Sequence, residues 1–328
     1  MHQGGVELTM PGGSNPPAAD ARPTADSDAA SVFEGSIVAL PTPFREGGLD
    51  LSSVDRLAAF HARFGSDGIL VGGTAGEGWS LNLDESAQIM ARATGAAAKR
   101  SDFAMRVFMG IAEIDSRRAA RIAEQAVLAG ADGLFISAPP HVRVSPDGLL
   151  RHVAEIAERL PRSTPIALLN EPTRTGADIT PDMTRLVVSE VPDVVAHCEG
   201  IGYPGRSRWL ARDLDVAVLT ADDRMIGPFV RAGAIGALNE VGNLVPGEVR
   251  ALITTIRGGG SDADRRERAL APLIDVLRVA PTPIAVKCAL TALEAIGPEL
   301  RPPLAGLSLK EHAELRHALE VARMLVPA

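Results

Sequence analysis

Short apolar runs alternate with longer amphipathic segments from Ser36 onward. Eight of these runs are four to six residues long and nearly continuous in apolar character, which is the pattern of strands buried on both faces of a parallel sheet. The predicted strands are Ile37–Pro41, Gly68–Gly72, Arg106–Ile111, Gly133–Ser137, Ile166–Asn170, Val194–Cys198, Ala217–Thr220 and Gly236–Asn239.

Apolar residues recur at helical spacing between these strands. The predicted helices are Ser52–Phe64, Glu85–Lys99, Ser116–Ala129, Gly148–Arg159, Asp182–Ser189, Met225–Ala232 and Pro246–Ile256, with the weakest helical pattern near Arg206–Ala211. Parallel strands need long crossovers, so strands that alternate with helices predict a parallel sheet. Eight such units, without a GxGxxG turn after the first strand, favour a closed (β/α)₈ TIM barrel over an open dinucleotide-binding sheet.

The barrel pattern does not extend over the whole chain. Residues 1–33 are rich in Gly, Pro, Ala, Ser and Asp without apolar periodicity, which predicts a disordered N-terminal arm. We assign residues 34–257 to the barrel. The run Gly258–Ser261 interrupts the pattern, and three further helical segments predict a C-terminal helical extension over residues 258–328. These segments lie near Ala263–Val279, Pro283–Ala295 and Leu309–Leu325.

Composition narrows the classes of function. The net charge is −8 with both signs mixed along the chain, which does not resemble a nucleic-acid-binding surface. No signal peptide or apolar stretch of about 20 residues is evident, so we expect no membrane partner. The chain has only two cysteines, Cys198 and Cys288, which argues against a disulfide framework and favours the cytoplasm. We expect a small-molecule substrate and no cofactor.

In a barrel of this kind the chemistry belongs at the C-terminal ends of the strands. The segment Gly73–Glu77 (GTAGE) resembles a GTTGE motif, and Asn170–Gly176 (NEPTRTG) resembles YNxPxRTG. The opening Ala39–Phe44 (ALPTPF) fits the matching first strand. In this order, and over about residues 35–325, the chain resembles the dihydrodipicolinate synthase / N-acetylneuraminate lyase family. The resemblance implies a homo-oligomeric lyase or aldolase, tetrameric or dimeric, that binds a 2-oxo acid as an imine on lysine.

Several positions depart from the family pattern. Cys198 stands where the family has its imine-forming lysine, and Leu169 replaces a proton-shuttling tyrosine. Ala75 replaces the second threonine of GTTGE, and His141 falls where a neighbouring subunit contributes an aromatic residue. A thiol cannot form an imine. We expect none of the three lysines, Lys99, Lys287 and Lys310, to take over that role.

Alternation along a strand predicts side-chain directions. If Cys198 points into the barrel, His197 points toward the helices. Cys198 is then a small apolar filler, a thiol nucleophile or a metal ligand. Glu171 and Glu240 fall on inward positions and would bring carboxylates into the pocket. Asp222 and Asp223, at the end of the seventh strand, are interpreted as a solvated pair.

The retained residues point to a carboxylated ligand. Thr74 can donate a hydroxyl group, and the planar guanidinium of Arg174 suits a bidentate carboxylate. Asn239 ends the eighth strand and is a further candidate contact. The predicted catalytic residues are Glu171, His141, Cys198 and Glu240, and the predicted substrate-binding residues are Thr74, Ala75, Arg174, Leu169 and Asn239.

Three functions remain open from the sequence. The first is an enzyme that acts on a small carboxylated, 2-oxo acid-like substrate by acid–base chemistry, with Glu171 or His141 as the base. The second is a non-catalytic barrel that binds a metabolite or a partner. The third is a metal-assisted lyase, because His141, Glu171, Cys198 and Glu240 include ligand types suitable for zinc.

Overall fold

Eight parallel strands close into a barrel, as predicted, in a computed structural model that describes residues 27–98, 105–161, 164–214 and 216–323. The strands are β1 (Gly35–Ala39), β2 (Gly68–Val71), β3 (Arg106–Ile111), β4 (Gly133–Ser137), β5 (Ile166–Asn170), β6 (Val194–Glu199), β7 (Ala217–Thr220) and β8 (Gly236–Asn239). Each strand pairs with the next along the chain, and β1 pairs with β8 from Gly35↔Gly236 onward to close the barrel.

A helix follows each strand. These helices are α1 (Leu51–Phe64), α2 (Leu83–Ala98), α3 (Ser116–Leu128), α4 (Pro146–Ala157), α5 (Pro181–Glu190), α6 (Pro204–Leu214), α7 (Ile226–Arg231) and α8 (Pro246–Arg257). Side-chain caps define several of the starts: the Asp50 carboxylate accepts the Ser53 N–H at α1, and the Asp115 carboxylate accepts the Arg117 N–H at α3. The weakest predicted helix, α6, forms a full 11 residues.

Phe33, which the sequence pattern assigns to the disordered N-terminal arm, fills the N-terminal end of the barrel. Phe33 is fully buried and stacks on Phe108 at 5.2 Å between ring centroids, with Phe135 edge-on at 5.2 Å. A short helix, Ser27–Ser31, precedes it. The predicted arm is therefore wrong for residues 27–33, because one aromatic side chain finds a hydrophobic site between the strands. Residues 1–26 lie outside the described part of the chain, and their assignment stays a prediction.

The C-terminal extension forms three helices, α9 (Ala263–Val276), α10 (Ile284–Ala292) and α11 (Leu309–Arg323). It is joined to the barrel by a buried ion pair, in which Lys287 Nζ lies 2.5 Å from Glu77 Oε1 and 2.8 Å from the Glu299 carbonyl oxygen. Glu77 lies in the loop after β2, which also carries Thr74, and adopts a left-handed conformation (φ 50°). The ion pair with Lys287 therefore fixes this loop to the extension. Of the helices described, none is both long and apolar enough to cross a membrane.

Candidate active site

A cavity of about 670 Å³ lies at the C-terminal end of the barrel, between the strand ends and the extension. Its floor is apolar and is formed by residues of the barrel interior and the β2 loop: Ala39, Leu70, Ala75, Leu169 and Leu238. Its walls are polar and come from Thr74, Glu171, Thr173, Arg174, Asp222, Asp223 and Glu240. The extension covers it with Ile274, Leu277, Arg278 and residues 279–282.

Glu171 is placed in the cavity by the end of β5 and by the one-turn helix Pro172–Thr175 that follows. Thr74 Oγ1 donates to Glu171 Oε2 at 3.2 Å, and Arg174 Nε lies 3.2 Å from Glu171 Oε1. Burial raises the pKa of Glu171, although Arg174 and Thr74 oppose the rise. The structure thus brings together three of the side chains that the sequence selected.

Glu240 enters the cavity from the end of β8. Its Oε1 accepts a hydrogen bond from Thr282 Oγ1 at 2.5 Å and lies 3.8 Å from Arg174 Nη2. Burial, with a smaller contribution from the nearby Glu171, raises the pKa of Glu240. Arg174 therefore lies between two carboxylates, one from the end of β5 and one from the end of β8. Thr282 belongs to the extension, and nothing in the sequence indicated its contact.

Asp223 is a wall residue that the sequence interpretation misjudged as solvated. Its Oδ1 accepts the Glu240 N–H at 3.1 Å, and its Oδ2 accepts the Val241 N–H at 2.9 Å. Burial and the nearby Glu240 carboxylate raise the pKa of Asp223 to about 7. The position at a strand end was the available signal. Its carboxylate is partly buried because the turn that follows β8 packs against it.

Cys198 points into the barrel and His197 points toward α5, as strand alternation predicts. His197 Nδ1 lies 3.1 Å from Thr184 Oγ1 on that helix. The Cys198 thiol, however, has no exposed surface and lies below the cavity floor among apolar side chains. Burial, followed by the charges of Glu171 and Glu199, raises the pKa of the thiol. The predicted catalytic role is therefore withdrawn, because a thiolate is strongly disfavoured there.

Two other predicted site residues do not line the cavity. Asn239 is 1% exposed, and its amide is used within the barrel: it donates to Ser36 Oγ at 3.0 Å and accepts the Gly242 N–H at 2.9 Å. The structure thus gives Asn239 a structural role in place of substrate binding. His141 is exposed in the turn after β4, with φ 69°. Its expected contribution across a subunit interface stays a prediction.

No lysine lines the cavity within the described part of the chain. Lys287 is held in its buried ion pair, and Lys310 is exposed near Glu314. Lys99 lies outside the described residues. Likewise, over the ranges that the structure describes, no three His, Cys, Asp or Glu side chains are placed to hold a metal ion together. The four candidate zinc ligands do not form such a group: His141 is exposed in the turn after β4, and the Cys198 thiol is fully buried.

A buried polar network behind the cavity supports the turn at Glu171. Asn170 Nδ2 donates to Glu199 Oε1 at 2.9 Å, and Asn170 Oδ1 accepts the Ile179 N–H at 2.8 Å. Arg206 Nε lies 2.9 Å from Glu199 Oε2, and both side chains are largely buried. Glu199 is the last residue of β6 and was not selected from the sequence. This network fixes the backbone from which Glu171 projects.

Comparison with known proteins gives a consistent result. The model of the dihydrodipicolinate synthetase family matches residues 32–322. The chain is 31% identical to the 4-hydroxy-tetrahydrodipicolinate synthase of Persephonella marina, over 88% of this chain and 98% of that protein. It is 32% identical to the corresponding enzyme of Aquifex aeolicus, over 88% and 97%.

Solved structures agree with these sequence matches. Dihydrodipicolinate synthase from Aquifex aeolicus superposes with a TM-score of 0.84 at 31% identity, covering 90% of this chain and 100% of that one. The enzyme from Acinetobacter baumannii in complex with pyruvate gives a TM-score of 0.83 at 28% identity, covering 89% and 99%. The similarity therefore extends over the barrel and the C-terminal extension.

Proposed function

The chain belongs to the dihydrodipicolinate synthetase family, and from this we propose that it is a lyase acting on a small carboxylated, 2-oxo acid-like molecule without a lysine imine. The family supports a lyase or aldolase of this fold. The acid–base mechanism rests on the cavity. The observation that carries it is the group Glu171–Arg174–Glu240, in which two carboxylates flank a guanidinium above an apolar floor.

The geometry supports a division of roles. Arg174 and Thr74 are placed to hold a substrate carboxylate, because a guanidinium fork and a hydroxyl both donate to it. Glu171 is the proposed base, since its raised pKa brings it nearer to neutrality, where proton transfer is most effective. Glu240 would hold or return a proton on the other side of Arg174, and Thr282 orients it.

The proposal excludes covalent catalysis by the residues at hand. A thiol cannot replace an amine in forming an imine, and the Cys198 thiol is buried below the floor. Pyruvate is a suitable probe because it is bound by the Acinetobacter baumannii relative. After incubation with pyruvate and borohydride, intact-mass spectrometry should show the unmodified mass. A lysine adduct would overturn the mechanism.

Turnover provides the direct test. Across a panel of 2-oxo acids and aldehydes, the wild-type chain should consume at least one substrate, and Glu171→Gln should lower kcat by about 10²–10⁴-fold, the usual contribution of a general base. Glu158→Gln changes an exposed carboxylate at the end of α4 and is the matched control. Loss of activity in the control alone would contradict the assignment.

A binding protein without catalysis is the second candidate. The observation that favours it is the pairing of Arg174 with internal carboxylates over a floor without a reactive nucleophile. Thermal shifts with carboxylates, without turnover on the same panel, would establish this candidate.

We also propose a homo-oligomer, supported by exposed Trp79, Ile114 and Val142 on loops after β2, β3 and β4. Light scattering of the purified chain tests it.

A further inference from the structure

Arg174 is already engaged before any ligand arrives. Its Nε lies 3.2 Å from Glu171 Oε1, and its Nη2 lies 3.8 Å from Glu240 Oε1. The Arg174 side chain is 33% exposed, whereas that of Glu171 is 15% exposed. A ligand carboxylate that binds this guanidinium therefore competes with two carboxylates that already lie beside it.

The other charged groups around the cavity do not relieve this competition for the guanidinium. Four carboxylates line the cavity against two guanidiniums: Glu171, Asp222, Asp223 and Glu240 against Arg174 and Arg278. Arg278 faces Asp222 at 3.8 Å, and Asp223 is held by backbone N–H groups. The remaining titratable group beneath the site, the Cys198 thiol, is buried and neutral. An anionic ligand would add to an acidic excess.

We propose that Glu171 competes with the ligand carboxylate for Arg174, so that a carboxylate ligand binds together with a proton taken from solvent. This inference rests on the proposed function. When the ligand takes the guanidinium, Glu171 loses its charged partner while it remains mostly buried. An unpaired buried carboxylate is expensive and is neutralised by protonation. The proton comes from solvent and forms an O–H bond on Glu171 or on the neighbouring Glu240 or Asp223. No other covalent bond forms or breaks.

This competition determines the specificity of the site. Affinity for a plain carboxylate falls by up to about tenfold per pH unit once the accepting group is ionised in the free protein. A ligand that carries its own hydrogen-bond donor beside the carboxylate partly escapes this loss. Removing the Glu171 charge frees Arg174, so Glu171→Gln should bind a carboxylate more tightly at alkaline pH. Loss of an ordinary binding residue would have the opposite effect.

Isothermal titration calorimetry of the full chain with pyruvate at pH 8 tests the proposal. Titrations in phosphate and in Tris, which differ in ionisation enthalpy, give the number of protons taken up. We expect net proton uptake on binding for the wild type and for Glu158→Gln. Glu171→Gln should show much less uptake and about tenfold tighter binding. Proton uptake by the wild-type protein tests the proposal even if the Glu171→Gln variant does not fold.

The outcomes separate the two proposals. Pyruvate binding without proton uptake, or weaker binding by folded Glu171→Gln, overturns the competition and leaves the proposed function intact. Binding by Glu171→Gln when the wild type shows none supports the competition. Failure of pyruvate to bind any of the three proteins removes the carboxylate site itself, and with it both proposals.

Discussion

Replacement of Lys287 by methionine tests how the extension supports the site. Lys287 is 1% exposed, and its ammonium lies 2.5 Å from the fully buried Glu77 carboxylate. Methionine fills a similar volume but leaves the Glu77 carboxylate without its ammonium partner, with the Arg301 N–H as its remaining hydrogen-bond donor at 3.0 Å. Loss of one partner of a buried pair costs about 3–5 kcal/mol. We expect Lys287→Met to lower the free energy of unfolding by that amount.

The double variant Lys287→Met/Glu77→Gln shows whether the uncompensated charge causes the loss. Neutral replacements of a buried pair cost far less than removal of one partner. The double variant should therefore be more stable than Lys287→Met, by about 2 kcal/mol or more. Urea unfolding followed by circular dichroism measures both values, with the m-value as a check that the folded states are comparable. Equal stability of the two variants would refute the reasoning.

Three further predictions follow from burial. Phe33→Ala should cost about 3–5 kcal/mol in urea unfolding, whereas Phe64→Ala, at a side chain 49% exposed, should cost far less; equal losses would argue against the Phe33 plug. Cys198 should resist thiol reagents at pH 8 in the folded chain and react after unfolding, and rapid labelling of the native protein would contradict its burial. The raised pKa of Asp223, about 7, means that the folded state binds more protons than the unfolded state between about pH 4 and 7. Its contribution therefore makes stability fall as pH rises through this window, and Asp223→Asn should flatten that part of the pH–stability profile. An unchanged profile would mean that Asp223 ionises normally.

Local patterns in the sequence determined the architecture. Strand and helix periods depend on neighbouring residues, so eight alternating units could be recognised one at a time and together predicted a barrel. Strand alternation also predicted that Cys198 faces inward and His197 outward. The placement of Glu171 and Glu240 in one pocket followed from the rule that parallel strands end at the same edge.

Only the tertiary structure decided which polar groups are free to act. Asn239 lies next to Glu240 in the chain, yet its amide is consumed inside the barrel while Glu240 reaches the cavity. Thr282 contacts Glu240 across 42 residues, and Lys287 contacts Glu77 across 210. Such contacts, and the burial that raises the pKa of Asp223, arise from closure of the barrel and packing of the extension. A sequence pattern indicates the period of each helix or strand. The desolvation and pairing of a polar side chain depend on which distant residues the fold places beside that side chain.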